Sequence, residues 1–386
     1  MDTMDTGGST GSGLTGATGL RHSIDVAVIG AGVLGLAATD ALLRQGVDVV
    51  CFEGREPGQG QSGGLTRTFR HRHDNEAVVR LAAEALTGWR EWEKRCGRTL
   101  IGPEGAVYAG MEEVDAEGMR RHSVAHHWVD GSEAGTVFGS LSPTSGPLLV
   151  DPDAGAIRAR RTIEMLTNWA GEHIVQAHVH GVSVPDDGEG VELQTADAIY
   201  RARHVLICAG TATPHLAAGA GIDIPLDCAL HVRPHFPVRE EFKDAPLPCW
   251  VDRSGEFGET VYGSVIGSSG TYVVGLIGAS VDVPMNAGLP SGTEMESHAR
   301  RLSNYVRKAL PGLVPEPVGV RVCVMSKLPG GSDAFGVWHT PGVTAVTGHN
   351  LFKLAPVLGE ALADCAHHDR LPAVLAEATE HALVEA

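Results

Sequence analysis

The apolar residues of this chain change their spacing several times, and the first regular segment, residues 26–53, is the most informative. It reads VAVIGAGVLGLAATDALLRQGVDVVCFE. A short apolar run, a glycine turn, apolar residues at helical spacing and a second apolar run predict a strand, a helix and a second strand. The preceding residues 1–22 are rich in Gly, Thr and Ser, which is typical of a disordered tail.

Helical spacing recurs later in the chain, and strand-like runs separate the helices. The predicted helices cover residues 76–96, the segment IRARRTIEMLTNWA, residues 294–310 and residues 356–366. Between residues 226 and 283, runs of Val, Ile, Tyr and Thr punctuated by Gly and Ser predict an antiparallel sheet. Together these patterns predict an α/β protein with a Rossmann-like nucleotide-binding domain and a second domain built on a mainly antiparallel sheet.

Composition narrows the range of partners. The chain has 386 residues, of which 30 are basic and 47 acidic, so its formal net charge is −17. Because an acidic surface repels nucleic acid and anionic lipid, we expect neither nucleic acid nor a membrane as a partner. No apolar run reaches the roughly 18 residues of a transmembrane helix. The seven cysteines are dispersed without a C-x-x-C pair, which fits a reducing cytoplasm.

Within the first segment, Gly30, Gly32 and Gly35 have the G-x-G-x-x-G spacing of a dinucleotide-binding turn. Gly30 allows the tight turn, Gly32 lets the backbone approach a pyrophosphate, and Gly35 lets the helix lie close to the strand. Free N–H groups at the N-terminus of the helix attract phosphates. Glu53 follows at the distance expected of an acid that binds a ribose hydroxyl. A glycine-rich turn in another kind of α/β protein is the alternative.

Three polar features lie outside this motif. The segment TRTFRHRH at residues 66–73 is a basic cluster in an acidic protein, and it forms either a solvated loop or a ligand contact. Gly210, at the end of the apolar run VLICAG, lets the backbone approach a ligand such as the cofactor. His122, His126 and His127 lie in a polar stretch, and their spacing is a weak metal-binding signal, so we predict no metal site.

Several motifs occur in an order that is specific as a set. After the glycine turn come TRTFRH, CAGTATP, VCVMS and GHNLFKLAP. This order resembles the monomeric sarcosine oxidase family, within the superfamily of glycine oxidase and D-amino-acid oxidase, over roughly residues 24–365. The resemblance implies FAD rather than NAD, and a discontinuous FAD-binding domain with a substrate domain over the flavin. We assign residues 23–90, 150–225 and 320–386 to the first domain and residues 91–149 and 226–319 to the second.

The resemblance also assigns roles in cofactor binding. Arg67 matches an arginine near the isoalloxazine ring of FAD. Cys323 matches a cysteine that is joined by a thioether to the 8α-carbon of FAD, and a free buried cysteine is the alternative. The expected cofactor contacts are Gly30, Gly32, Gly35, Glu53, Thr66, Arg67, Val179, Gly210, Cys323 and Lys353.

A further set of residues is expected to bind substrate and, with Arg67, to form the catalytic group. Arg70 and Lys353 match the pair that binds a substrate carboxylate in the family. An arginine fork and a lysine point charge suit a carboxylate, although both side chains could instead be surface charges. Tyr262 matches a tyrosine that lines the substrate cavity, and an ordinary strand tyrosine is the alternative.

Four positions depart from the family pattern. Val273 falls where the oxidases carry a lysine that assists oxygen reduction, and a valine cannot supply that charge. Ile277 replaces a histidine, Met325 replaces a tyrosine and Gly63 replaces a histidine. We therefore expect the cofactor and carboxylate residues to be kept, and the pocket for oxygen and substrate to differ.

The resemblance implies FAD-dependent oxidation of a C–N bond in a small amine or amino acid that carries a carboxylate. A hydride would pass to flavin N5 and leave an imine. Oxygen is the acceptor in the family, but the valine at position 273 keeps open a dehydrogenase that uses another acceptor. A non-catalytic flavin-binding protein is a third alternative. An NAD-dependent reductase is a fourth, in which the later motifs would have no role.

Overall fold

The structure is a computed structural model that describes residues 21–267, 269–279, 281–283, 292–329 and 335–377. Residues 1–20 of the predicted tail lie outside the described residues, and the first strand begins at Arg21. The described strands are β1 (Arg21–Ile29), β2 (Val49–Glu53), β3 (Arg67–Phe69), β4 (Ala106–Ala109), β5 (His127–Val129), β6 (Leu148–Asp151), β7 (Gly155–Ile157), β8 (Ile174–Gln176), β9 (Val179–Ser183), β10 (Val191–Thr195), β11 (Ile199–Ile207), β12 (Asp227–Pro237), β13 (Cys249–Asp252), β14 (Val261–Val265), β15 (Thr271–Leu276), β16 (Val281–Val283), β17 (Gly319–Lys327), β18 (Phe335–Thr340) and β19 (Val343–Gly348). The described α-helices are α1 (Val33–Arg44), α2 (Glu76–Cys96), α3 (Glu117–Arg121), α4 (Ala134–Phe138), α5 (Ala159–Ala170), α6 (Thr213–Ala218), α7 (Gly292–Ala309) and α8 (Ala355–His368). None of these helices has the length and apolar character needed to cross a membrane.

The predicted β–α–β unit lies at the centre of the first sheet. The strand order is β18-β19-β11-β1-β2-β8, and β1 pairs in parallel with both β2 and β11. Strands β9 and β10 form an antiparallel extension beside β11, and helix α1 packs against α5 and α8. Because β1, β2 and β11 are parallel, their carboxyl ends meet at one edge, where folds of this kind bind ligands. The Rossmann-like part of the prediction is confirmed.

The second sheet is mainly antiparallel, as the sequence predicts. Its order is β16-β12-β15-β14-β13-β4-β6-β5, with β17 paired to β12, and only β13 and β4 are parallel among its described pairs. Helix α7 packs on β12 and β15, and its buried face includes Leu302, Tyr305 and Val306. The segment from residue 320 onward, which we assigned to the FAD-binding domain, contributes β17 to this sheet and β18 and β19 to the first. The domain division itself stays a prediction.

Helix α2 has the bounds that the sequence predicts, and local contacts explain both ends. Asn75 caps its start, with Oδ1 accepting the N–H of Ala77 at 2.8 Å. Gly97 ends the helix in the left-handed conformation, with φ of 66°. On the buried face, Trp89 Nε1 donates a hydrogen bond to the carbonyl oxygen of Lys353 at 2.7 Å. Helix α2 therefore fixes the turn that carries Lys353.

Candidate active site

A cavity of about 900 Å³ opens at the carboxyl edge of the first sheet. Its lining comes from both sheets, because Gly30 follows β1, Glu53 ends β2, Tyr262 lies on β14 and Cys323 lies on β17. A cavity of this size suits a cofactor or another organic ligand. Predicted cofactor and substrate residues therefore meet in one place.

The glycine turn after β1 requires glycine at two positions. Gly30 has a φ of +102°, and a Cβ there would lie 2.6 Å from the carbonyl oxygen of Cys208. A Cβ on Gly35 would lie 1.9 Å from the carbonyl oxygen of Gly30, so α1 could not approach the turn with another residue there. Gly32 is the N-cap of α1 without a capping side chain, and the first turn contains no acid. The positive end of the helix dipole therefore faces the cavity.

Backbone N–H groups hold the carboxylate of Glu53. Its Oε2 accepts the N–H of Ala31 at 2.8 Å, and its Oε1 accepts the N–H of Arg55 at 2.9 Å. The hydroxyl of Ser62 accepts the N–H of Val33 at 3.0 Å. Because each carboxylate oxygen has two lone pairs, both oxygens of Glu53 can still accept ribose hydroxyls.

The charge of the cavity is opposite to that of the whole chain. Although the formal net charge is −17, the described lining contains a single carboxylate, that of Glu53. Two of its arginines, Arg72 and Arg253, pair with Asp74 outside the lining. The cationic residues of the lining are Arg55, Arg67, Arg70, Arg72, Arg233, Arg253, Lys327 and Lys353. This excess of positive charge attracts anionic ligands, such as a diphosphate or a carboxylate.

Cys323 lies among three arginines from different strands, Arg67 of β3, Arg233 of β12 and Arg321 of β17. Arg233 Nη1 lies 3.8 Å from the Cys323 Sγ atom. The Nε atoms of Arg233 and Arg321 are buried and have no hydrogen-bond partner in the described part of the chain. Burial, and then the charge of Arg233, lower the pKa of Arg67 to about 10. The three arginines therefore favour a negatively charged group bound between them.

The same surroundings act on the Cys323 thiol. Burial raises its pKa, but the positive charges of Arg233, Arg67 and Arg321 outweigh that effect, and the thiol pKa lies below its ordinary value. A thiolate is the nucleophilic form of cysteine. The arginines thus favour the thiolate form of Cys323.

The second sheet supplies a hydrogen-bonded pair to the cavity. His231 Nδ1 lies 3.1 Å from the hydroxyl oxygen of Tyr262, and Arg233 Cζ lies 5.9 Å from the centre of the Tyr262 ring. Burial, and then the charge of Arg233, lower the pKa of His231 to about 4, so the imidazole is neutral near pH 7. The ring depends on Gly275 for space, because a Cβ there would lie 2.6 Å from Tyr262 Cζ. A phenol and a neutral imidazole therefore line this part of the cavity.

Lys353 lies in the short 3-10 turn Leu351–Leu354 between β19 and α8, and 4% of the residue is exposed. Asn350 precedes this turn in the left-handed conformation, and its Oδ1 accepts a hydrogen bond from Lys353 Nζ at 3.2 Å. Arg70 follows β3, and its guanidinium donates to the carbonyl oxygen of Arg72. Both cationic side chains line the same cavity, as a shared carboxylate site requires.

Ten of the twelve site residues predicted from the sequence line the cavity. They are Gly30, Gly32, Glu53, Arg67, Arg70, Val179, Gly210, Tyr262, Cys323 and Lys353. The other two adjoin it: Gly35 packs against the glycine turn, and the hydroxyl of buried Thr66 lies 3.4 Å from that of Ser264. The structure brings the residues together, while the role of each stays a prediction.

The departures from the family pattern also concern this cavity. Ile277 and Met325 line it. Val273 is buried on β15, whose pairing with β14 puts it on the same face of the sheet as Tyr262. Gly63 lies in the loop before β3. At positions 277 and 325, where the resemblance implies a histidine and a tyrosine, the cavity therefore has apolar side chains.

The sequence analysis missed His231, Arg233 and Arg321. Antiparallel pairing of β12 with β17 places His231 opposite Cys323 and Arg233 opposite Arg321. A signal for β12 was present in ALHVRPHFPV, where His231, Arg233 and His235 occupy every second position. Because side chains of a strand alternate between its faces, this spacing directs all three to one face.

The cavity residues fit FAD. The glycine turn and the N-terminus of α1 offer space and positive potential for a diphosphate, and Glu53 offers acceptors for a ribose. Arg233 lines the cavity, its buried Nε lacks a partner among the described residues, and a ring system with hydrogen-bond acceptors would satisfy it. The remaining cationic side chains of the lining would attract a second, smaller anion.

The family model of the FAD dependent oxidoreductases (DAO) matches residues 25–365, and the chain belongs to this family. It is an FAD-dependent oxidoreductase of the class that acts on amines and amino acids. The resemblance inferred from the motifs is thereby confirmed, as is FAD as the cofactor. Family membership disfavours the NAD-dependent and non-catalytic alternatives.

Individual relatives cover nearly the same part of the chain. A monomeric sarcosine oxidase of Bacillus sp. (strain NS-129) is 25% identical over 369 residues, which is 89% of this chain and 92% of that protein. The open form of NikD, an unusual amino acid oxidase essential for nikkomycin biosynthesis, has a TM-score of 0.77 at 23% identity and covers 91% of this chain and 95% of its own. L-proline dehydrogenase from P. horikoshii has a TM-score of 0.78 at 18% identity, with coverages of 92% and 96%. The two solved structures thus share the fold.

Proposed function

We propose that this protein oxidises a C–N bond in a small amine or amino acid that carries a carboxylate, with an imine as product. The cationic lining of the cavity, in a protein of net charge −17, carries the proposal. FAD, when bound, supplies the two-electron acceptor for the hydride that leaves the substrate. The similar proteins named sarcosine oxidase and amino acid oxidase support the same substrate class.

Arg70 and Lys353 hold the substrate carboxylate in this proposal. The guanidinium can bind two carboxylate oxygens at once, and the ammonium adds a charge from a buried position. Fixing the carboxylate sets the position of the α-carbon, and oxidation requires the reacting carbon within about 3–3.5 Å of its acceptor. The two cations therefore act by binding and by orientation.

A different set of residues holds the cofactor. Gly30, Gly32 and the N-terminus of α1 would hold the diphosphate, and Glu53 would bind the ribose. Thr66 and Arg67 would hold the flavin ring. Gly35 would support this group by letting α1 approach β1, and Val179 and Gly210 would contribute further cofactor contacts.

We further propose that Cys323 carries FAD through a thioether to the 8α-carbon. Its position in the lining, its contact with Arg233 and the lowered pKa of its thiol support this assignment. A covalent bond keeps the cofactor in place during turnover. The three surrounding arginines would also stabilise negative charge that develops near the ring.

The remaining part of the pocket suits a substrate larger than sarcosine. Tyr262 and neutral His231 offer hydrogen bonds without charge, and Ile277 and Met325 offer apolar surface. A neutral amine with an apolar substituent matches this combination. We therefore propose an N-alkylated or cyclic amino acid with an apolar group as the substrate.

Anaerobic reduction of the bound flavin by a panel of amines tests this function. Each carboxylate, for example sarcosine, L-proline and N-methyl amino acids with bulky side chains, is paired with its carboxamide. We expect carboxylates with apolar groups to bleach the flavin at lower concentrations than their amides. Equal concentration dependence of acids and amides would argue against the carboxylate site, and absence of bleaching by every amine would argue against C–N oxidation.

A dehydrogenase with an acceptor other than oxygen is the second candidate. Val273 is apolar, and no lysine occurs between Lys243 and Lys308, so this part of the sheet cannot supply a lysine charge for oxygen reduction. The shared fold of L-proline dehydrogenase is compatible with this alternative. Stopped-flow mixing of the reduced enzyme with O₂ distinguishes the two candidates. Fast reoxidation of the flavin by O₂ would eliminate the dehydrogenase. Slow reoxidation by O₂, together with fast electron transfer to a quinone, would favour the dehydrogenase.

A further inference from the structure

A second polar cluster lies outside the cavity, where helix α8 ends. It consists of His204 on β11, His339 on β18 and Asp369, the residue that follows α8, and we call it the α8 cluster. One nitrogen of each imidazole and a carboxylate oxygen lie within 4.8 Å of one another. None of the three residues lines the cavity.

Thr344 restricts how the two imidazoles are protonated. Its hydroxyl oxygen lies 2.9 Å from His204 Nε2, 3.0 Å from His339 Nδ1 and 3.4 Å from Cys365 Sγ. A hydroxyl has one hydrogen, so at least one imidazole must donate its N–H to this oxygen. In a neutral ring, the other nitrogen then has a bare lone pair, and that nitrogen faces Asp369.

The facing carboxylate adds a negatively charged ligand atom beside the two imidazoles. Asp369 Oδ1 lies 3.0 Å from His204 Nδ1 and 3.9 Å from His339 Nε2, and it accepts the N–H of Gly342 at 2.8 Å. His204 is fully buried, and no group in the described part of the chain, the nearby Asp369 included, is aligned for a hydrogen bond to its Nδ1. Nitrogen and oxygen lone pairs that converge in this way form a donor set for a metal ion.

We propose that the α8 cluster binds one Zn²⁺ through His204, His339 and Asp369, with water as the fourth ligand. Tetrahedral zinc bonds of about 2.0–2.1 Å separate neighbouring ligand atoms by about 3.3 Å. The separations from Asp369 Oδ1 to the two imidazole nitrogens, 3.0 and 3.9 Å, lie on either side of that value, and the two nitrogens lie within 4.8 Å of each other. The Asp369 side chain is 38% exposed, which gives the ion and its water access from solvent. Thr344 orients both imidazoles, as hydrogen-bonded neighbours of zinc ligands do.

The ion ties the end of α8 to two strands of the first sheet. This helix begins directly after the turn Leu351–Leu354, and it packs on α1. Since the α8 cluster does not line the cavity, the metal stabilises the fold and takes no part in the oxidation. Our sequence analysis predicted no metal site, because the three ligands come from segments far apart along the chain.

Calorimetric titration of Zn²⁺ into the flavin-loaded, full-length protein tests the site after dialysis against a chelator. We expect one equivalent to bind and the thermal midpoint to rise by several degrees, because the ion binds the folded state. His339→Gln and Asp369→Asn should each weaken binding at least about tenfold and abolish the rise. Asn tolerates the left-handed backbone of residue 369, where φ is 49°, so Asp369→Asn preserves the turn.

His368→Gln is the matched control. His368 is exposed on the last turn of α8 with Asp364 beside it, so it could bind metal only at the surface. The site is supported if zinc binding is unchanged in this control and weakened in the variants of the α8 cluster. Those variants must keep the thermal midpoint that the unmodified protein has without metal. Absence of one-equivalent binding in the unmodified protein, or unchanged binding in His339→Gln, overturns it and leaves a hydrogen-bonded histidine pair.

Discussion

Replacing Lys353 by methionine removes one charge from the proposed carboxylate site while keeping the length of the side chain. The residue is 4% exposed, and its ammonium donates to Asn350 Oδ1 at 3.2 Å. The turn around it is held through its carbonyl oxygen, which accepts the hydrogen bond of Trp89 Nε1. Because this anchor belongs to the backbone, we expect Lys353→Met to fold normally and to bind FAD.

The expected magnitude follows from the kind of hydrogen bond that the substitution removes. A hydrogen bond to a charged group contributes about 1.5–3 kcal/mol, and about 1.4 kcal/mol corresponds to a tenfold change in affinity. Lys353→Met should therefore raise the Kd of a carboxylate substrate about 10- to 150-fold. For the matching carboxamide, the ammonium donates to a neutral oxygen, so the loss should lie at the lower end of this range, about 1.5 kcal/mol, and the Kd should rise about tenfold. The discrimination between acid and amide should therefore fall by up to about tenfold.

The assay is the anaerobic reduction of flavin at increasing substrate concentration. The concentration dependence gives the Kd, and the limiting rate reports the chemical step. Lys308→Met is the control, since Lys308 is exposed on α7 and away from the cavity. An equal decrease in affinity for acid and amide in Lys353→Met would refute the reasoning, and so would the same decrease in the control.

Three further variants test other parts of the site and the fold. Gly275→Ala places a Cβ 2.6 Å from Tyr262 Cζ, so the ring must move; this overpacking should cost about 1–3 kcal/mol of stability, and the displaced ring should raise the KM without loss of flavin. Cys323→Ala should move the flavin from the acid-precipitated pellet to the supernatant. In cofactor-free protein, the lowered thiol pKa should make Cys323 react with iodoacetamide at lower pH than the partly exposed thiol of Cys96. Tyr305→Phe deprives buried Asp252 Oδ2 of its 2.6 Å hydrogen bond and leaves an indole N–H unpaired, and should cost about 2–5 kcal/mol of stability, seen as a lower thermal midpoint.

Each variant has a matched control. Gly146→Ala adds a Cβ with no atom within 4 Å and should leave the KM unchanged. Cys96→Ser, on α2, should keep flavin in the pellet. Tyr200→Phe, on the first sheet, removes a hydroxyl outside the cavity and should barely change the thermal midpoint. A KM unchanged in Gly275→Ala, flavin retained after Cys323→Ala, or a midpoint unchanged in Tyr305→Phe would each contradict the corresponding argument.

Local patterns predicted the elements that position the cofactor. The start and end of α2 follow from Asn75 and Gly97, whose side-chain and backbone preferences act within one turn. Motif order further indicated that Cys323 and Lys353 belong to the same site, and both line the cavity. No local pattern indicated the surroundings of Cys323. Arg233 contacts it from the neighbouring strand β12, and the two residues are 90 positions apart in the sequence.

The amino-acid sequence by itself determined the β–α–β unit and its glycine turn. The positive φ of Gly30 and the close approach of Gly35 to Gly30 involve residues only a few positions apart. Over such a short segment, backbone geometry allows few conformations other than the turn. Only the tertiary structure decided the environment of Cys323 and the composition of the α8 cluster. In both places, strand register and helix packing bring charged or ligating groups from distant segments together, and burial then makes their mutual electrostatics strong.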